Sequence, residues 1–178
     1  MVDDSSVAPT KVRGEALAEL VVRDARDRGC RIALAESCTG GLLGARITDI
    51  PGSSAVFWGS VVSYSNEAKV SMLGVLRETL EAHGAVSEPV AVEMAEGVRR
   101  RSGAEVGLSV SGIAGPDGGT EEKPVGTVWI CCVTGWTAPV CRSFRFSGNR
   151  RSVRMMAVQE SLRLIGHVLA ARALSGPG

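Results

Sequence analysis

The sequence predicts an α/β fold, a mixed sheet held between layers of helices. Helix-like and strand-like segments alternate along the chain, the pattern of sheets covered by helices. The 178 residues are 44% hydrophobic but only 4% aromatic, a balance of small aliphatics that suits helices packed closely on a sheet. A hairpin late in the chain makes at least one strand antiparallel.

Each element has its own signal. Residues 1–10 lack periodicity and read as a mobile tail. From Lys11 to Arg28, Val12, Ala16, Leu17, Leu20, Val21 and Ala25 recur at helical spacing, and Gly29 ends the helix. Arg31–Ala35 is a short apolar strand. It runs into the tight turn Glu36–Gly41, and Leu42–Asp49 is a helix. A loop at 51–54 leads to Ala55–Ser63, rich in Val, Phe and Trp as strands are. Short helices follow at Asn66–Leu73 and Leu76–His83, then a longer one at Glu88–Arg101. Glu105–Ser111 is a strand and Gly112–Lys123 a glycine-rich loop. Pro124–Val133 and Pro139–Phe146 form the hairpin, and Arg150–Leu174 is a long closing helix before a frayed end at 175–178. A length of 178 residues fits a single domain, placed at 11–174.

Composition removes several functions. Twenty Lys and Arg against nineteen Asp and Glu leave a net charge of +1, so no basic field gathers polyanions, and nucleic acid is not an expected partner. No apolar run approaches the ~20 residues of a spanning helix, and the first ten residues do not read as a leader. A cytoplasmic protein without a membrane partner is expected. The five cysteines, Cys30, Cys38, Cys131, Cys132 and Cys141, have no CxxC spacing, so neither a disulfide framework nor a zinc site is expected. The only histidines, His83 and His167, stand singly. Any chemistry must proceed without histidine clusters and, by this reading, without a metal.

Ser37 ends a strand and precedes Thr39, Gly40 and Gly41 at a helix start, where unpaired amides and the helix dipole can hold an anion or an oxyanion. A plain helix cap is the ordinary alternative. Lys69 falls in the first turn after Tyr64, Ser65 and Asn66, where the dipole opposes a cation. A lysine partly desolvated there has a lowered pKa and can act as a base, although most lysines are simply solvated. Ser–Lys pairs replace the serine triad on other folds. Ser111–Thr120 is a dense glycine loop that is neither a Walker loop nor GxGxxG; it brings amides to a ligand or makes a tight turn. Arg150 and Arg151 open the last helix and suit a phosphate or carboxylate, or form a solvated basic patch. Cys38 reads as a small buried thiol.

Taken together, Ala35-Glu36-Ser37-Cys38-Thr39-Gly40-Gly41, Tyr64-Ser65-Asn66-Glu67-Ala68-Lys69, Ser111–Gly119 with Lys123–Val128, and Phe146-Ser147-Gly148-Asn149-Arg150 resemble the motifs of the CinA C-terminal domain family, in the family's order and across residues 11–172. The resemblance implies a three-layer α/β/α sandwich around a mixed, mostly parallel sheet. It also implies hydrolysis of the carboxamide of nicotinamide mononucleotide, with no cofactor and no metal. By the same resemblance the catalytic residues are Ser37, Lys69, Tyr64 and Arg150. The substrate-binding residues are then Thr39, Gly40, Gly41, Gly112, Gly115, Gly118 and Gly119, a small pyridine nucleotide is the partner, and a homo-oligomer, a dimer, is expected. A non-catalytic nucleotide-sensing module built on the same loops is the alternative reading. A thiol enzyme centred on Cys38 is a weaker one, since no histidine is near it in sequence.

Overall fold

The computed structural model describes residues 9–174, and the side chains of 15–172. The expected tail falls mainly on residues 1–8, which lie outside the described residues, as does the expected frayed end at 175–178. Helix α1 spans Pro9–Asp27, so it begins two residues before Lys11, where it was expected to start. The other elements are β1 (Ile32–Glu36), α2 (Leu42–Thr48), a 3₁₀ turn (Ser53–Ala55), β2 (Phe57–Val62), α3 (Asn66–Leu73), α4 (Arg77–His83), α5 (Glu88–Ser102), β3 (Val106–Gly112), β4 (Thr127–Thr134), β5 (Val140–Arg145) and α6 (Arg150–Leu174).

One five-stranded sheet has the order β2-β1-β3-β4-β5. Strand β1 pairs in parallel with β2 and β3, whereas β4 is antiparallel to both β3 and β5. Four strands therefore share one direction and β4 opposes them, the mixed, mostly parallel sheet that was expected. Strand β1 is buried at every position, as a strand with helices over both faces must be. Its side chains alternate: Ile32 and Leu34 join the core under α1, α2 and α6, while Ala33 and Ala35 join the core under α3 and α5.

The buried stripe of α1 is Ala18, Val21, Val22 and Ala25. Ala16 is exposed and Leu20 is 43% exposed, so the packed face is turned by one residue from the one predicted. The stripe that meets α6 keeps the three- and four-residue spacing from Ala18, and Ala16 and Leu20 fall off it.

The cysteine expectation needs a correction. Cys131 and Cys141 form a disulfide between β4 and β5, their Cα atoms 4.1 Å apart. The hairpin register sets the two residues directly opposite each other, where antiparallel neighbours approach most closely. Cys30, Cys38 and Cys132 are free and buried. Among the described residues no helix is long and apolar enough to cross a membrane.

Candidate active site

The site forms where β1, β2 and β3 end. Helix α2 leaves β1 on one face of the sheet and α3–α5 leave β2 on the other, so a crevice opens between the two connections. The alternation of β1 continues past its end. Glu36 follows Ile32 and Leu34 to the α2 side, and Ser37 follows Ala33 and Ala35 to the α3 side, where Lys69 waits.

Lys69 is held by a capped helix. Ser65 Oγ accepts from the Ala68 amide at 3.1 Å and closes the start of α3. This points the lysine inward, where it is only 1% exposed. Its Nζ donates to the Ser63 carbonyl at 2.9 Å and lies 3.2 Å from Ser37 Oγ. Burial pushes the Lys69 pKa down from its ordinary 10.5, while Cys38 and Glu67 pull weakly the other way. Among the described residues no carboxylate forms a salt bridge with it. A buried, unpaired lysine favours the neutral amine, the form that accepts a proton.

Ser37, Lys69, Tyr64 and Arg150 line one cavity of about 210 Å³, together with Cys38, Asn66, Ala85, Val86, Ser111, Gly112 and Ala114. Arg150 donates from Nη1 to the Gly115 carbonyl at 2.9 Å and from Nη2 to the Tyr64 hydroxyl at 2.6 Å. The two side chains thus form one wall, with Tyr64 58% exposed. Burial raises the Cys38 thiol to about 11, so it stays protonated near neutrality and is a poor nucleophile.

The remaining predicted residues sit differently. Thr39, Gly40, Gly41, Gly115, Gly118 and Gly119 do not line the cavity; of the predicted binding glycines, Gly112 does. The reason at the helix start is Glu36. Its carboxylate is fully buried and accepts from the amides of Gly41 (2.9 Å), Leu43 (3.1 Å) and Gly44 (2.8 Å), and from Ser60 Oγ (2.8 Å). The protein's own carboxylate already fills the anion site that the α2 start offers. Gly115 gives its carbonyl to Arg150.

Two residues with no role in the sequence reading complete the turn. Glu36 is one; a carboxylate on an all-buried strand just before a helix start was its only signal. The other is Arg154, on α6, whose Nε and Nη2 donate to the carbonyls of Cys38 (3.1 Å) and Thr39 (2.6 Å). A single sequence carries no signal for a contact across more than a hundred residues. Among the described residues no cluster of three His, Cys, Asp or Glu could hold a metal ion.

The CinA C-terminal domain family matches residues 14–169. The chain belongs to that family. Its members include the nicotinamide-nucleotide amidohydrolase PncC of Escherichia coli strain K12, 52% identical over 149 residues, which cover 84% of this chain and 90% of that protein. A CinA-like protein of Syntrophomonas wolfei is 53% identical over 151 residues, 85% of this chain but 36% of its own length. The chain thus spans about a third of the CinA-like proteins it matches. Among solved CinA-type structures, the competence/damage inducible protein CihA of Agrobacterium tumefaciens superposes with a TM-score of 0.86 at 40% identity, over 89% of this chain and 96% of that one. A CinA superfamily protein of Klebsiella pneumoniae gives 0.85 at 37% identity, over 89% and 98%.

Proposed function

We propose that this chain hydrolyses the carboxamide of nicotinamide mononucleotide to nicotinic acid mononucleotide and ammonia, with Ser37 as nucleophile and Lys69 as base. The observation that carries the reading is the 3.2 Å contact between Lys69 Nζ and Ser37 Oγ on the wall of a cavity. The likeness to the E. coli amidohydrolase over 90% of that protein's length supports the choice of substrate. Residues 11–174 act as one catalytic unit in pyridine nucleotide salvage.

The neutral amine takes the Ser37 hydroxyl proton as Oγ bonds to the carboxamide carbon, and the carbonyl oxygen becomes an oxyanion held by backbone amides. The Lys69 ammonium then returns a proton to the nitrogen, the C–N bond breaks and ammonia leaves. Water, deprotonated by Lys69, attacks the ester, and the proton passes back to Ser37 Oγ as the acid departs. Arg150 and Tyr64 line the same cavity, and a guanidinium there suits the 5′-phosphate.

The test is release of ammonia from nicotinamide mononucleotide by the purified chain, read with a glutamate dehydrogenase couple, against free nicotinamide as the control. Turnover of the nucleotide is expected, much slower turnover of nicotinamide, and no loss in EDTA. Tight nucleotide binding without ammonia would leave a sensing module instead.

A further inference from the structure

We infer that Arg154 is a positioning residue for the oxyanion step: it fixes the turn after Ser37 so that the amide of Cys38 meets the tetrahedral oxygen. The inference rests on the Ser37 amidohydrolase reading and adds to it the donor and the group that aims it.

The turn leaves few amides to choose from. Gly40 N donates to the Ser37 carbonyl at 3.0 Å and closes a four-residue turn, which leaves the amides of its two central residues, Cys38 and Thr39, outside the closing bond. Ser37 N is bound to the Val110 carbonyl and Leu42 N to the Thr39 carbonyl. Glu36 takes Gly41, Leu43 and Gly44. Among the described residues, then, only the amides of Cys38 and Thr39 in this stretch meet no carbonyl or carboxylate. Cys38 lines the cavity beside Ser37 and the fully buried Thr39 does not, which leaves the Cys38 amide as the donor. An amide directly after the nucleophile is where oxyanion donors sit in other strand-turn-helix nucleophile sites.

The Cys38 amide is useful only while the turn keeps its orientation. A trans peptide holds its C=O and N–H on opposite sides. Arg154 grips the Cys38 carbonyl, so the Thr39 N–H, in the same plane, points away from α6. The second bond, from the same planar guanidinium to the Thr39 carbonyl, fixes the next plane, whose Gly40 N–H holds the Ser37 carbonyl, so the Cys38 N–H, across the peptide plane from that carbonyl, is held in turn. Lysine cannot reproduce that fork. Without it the turn can rotate and present the Ser37 carbonyl in place of the Cys38 amide to the developing negative charge.

The test compares wild type, Arg154→Met and Arg154→Lys in three readouts: kcat and KM for nicotinamide mononucleotide, the rate at which a sulfonyl fluoride labels Ser37 by intact mass, and Tm. Arg154→Met is expected to lose about 10²-fold in kcat, the effect of losing one oxyanion donor, with KM held within about twofold. Labelling should slow by at least about tenfold, because it too develops charge on oxygen. Arg154→Lys should recover part of both losses. Wild-type kcat and labelling in a folded Arg154→Met would overturn the inference. So would a loss confined to KM. Should Arg154→Met fail to fold, Arg154→Lys decides: reduced kcat at unchanged KM supports the role, and full activity ends it. A wild type labelled at Ser37 but inactive on the nucleotide would sink the substrate reading and leave the labelling ratio to judge Arg154. A wild type neither labelled nor active would overturn both.

Discussion

Lys69 Nζ lies 3.2 Å from Ser37 Oγ, and both groups are buried, the lysine with 1% of its surface exposed. Two local devices produce the contact. The two-residue alternation of β1 sends Ser37 to the α3 side, and the Ser65 cap sets the phase of α3 so that Lys69 faces inward. Burial then does what no charged neighbour is needed for: it disfavours the ammonium.

Activity should therefore rise with pH through a lysine pKa lowered from 10.5, as a pH profile of kcat/KM will report. Lys69→Arg, which keeps a charge but cannot give up its proton near neutrality, should be as inactive as Lys69→Ala. The stability linkage has a definite sign. Between the folded pKa and 10.5 the unfolded chain holds the proton and the folded chain does not, so stability falls as pH drops across that interval and is flat below it. Lys69→Met should accordingly raise Tm at neutral pH, by an amount that shrinks toward pH 10.5. A Tm gain independent of pH would contradict the lowered pKa.

Ser37→Ala should abolish ammonia release while Cys38→Ser keeps most of it. The thiol is raised to about 11 and buried, so it should also resist iodoacetamide at neutral pH in the folded protein, as mass analysis against a urea-unfolded control will check. Activity that survives in Ser37→Ala and fails in Cys38→Ser would transfer the nucleophile to the thiol.

The sequence made the strands, the long helices, Ser37, Lys69 and Arg150 legible because each depends on local pattern: apolar alternation, helical spacing, a cap, a cation at a helix start. Tyr64 came only from the family resemblance. The sequence was silent on what the turn amides do. Thr39, Gly40 and Gly41 looked ready for an anion because a helix start always does; the buried Glu36 that occupies Gly41, Leu43 and Gly44 shows only in three dimensions. The Cys131–Cys141 pairing was hidden for a similar reason, since it follows from hairpin register rather than spacing.

Glu36→Gln should destabilise the fold by about 2–4 kcal/mol. The substitution puts an amide donor where the Gly41, Leu43 and Gly44 amides and the Ser60 hydroxyl all seek an acceptor, and a buried donor facing donors bears the full cost of an unmade bond. Urea unfolding will measure it. A stability change under about 0.5 kcal/mol, the range of a surface substitution, would show that water or a rearranged loop replaces the carboxylate.

Substitution of Arg150 should separate binding from chemistry. Its guanidinium bridges the Gly115 carbonyl and the Tyr64 hydroxyl on the cavity wall, and the downward push on Lys69 comes from burial rather than from this cation. Arg150→Ala should then raise KM for the nucleotide by about 10- to 100-fold, the size of a lost charge-assisted contact of about 1.5–3 kcal/mol. The pH at which kcat/KM rises should stay where it was. Tyr64→Phe removes one acceptor of the guanidinium but not its charge, so it should raise KM by less than Arg150→Ala does. The two substitutions should also combine to less than the product of their separate effects, since they act on one wall. A shift of the pH profile in Arg150→Ala at unchanged KM would reverse the assignment and make Arg150 a group that tunes Lys69.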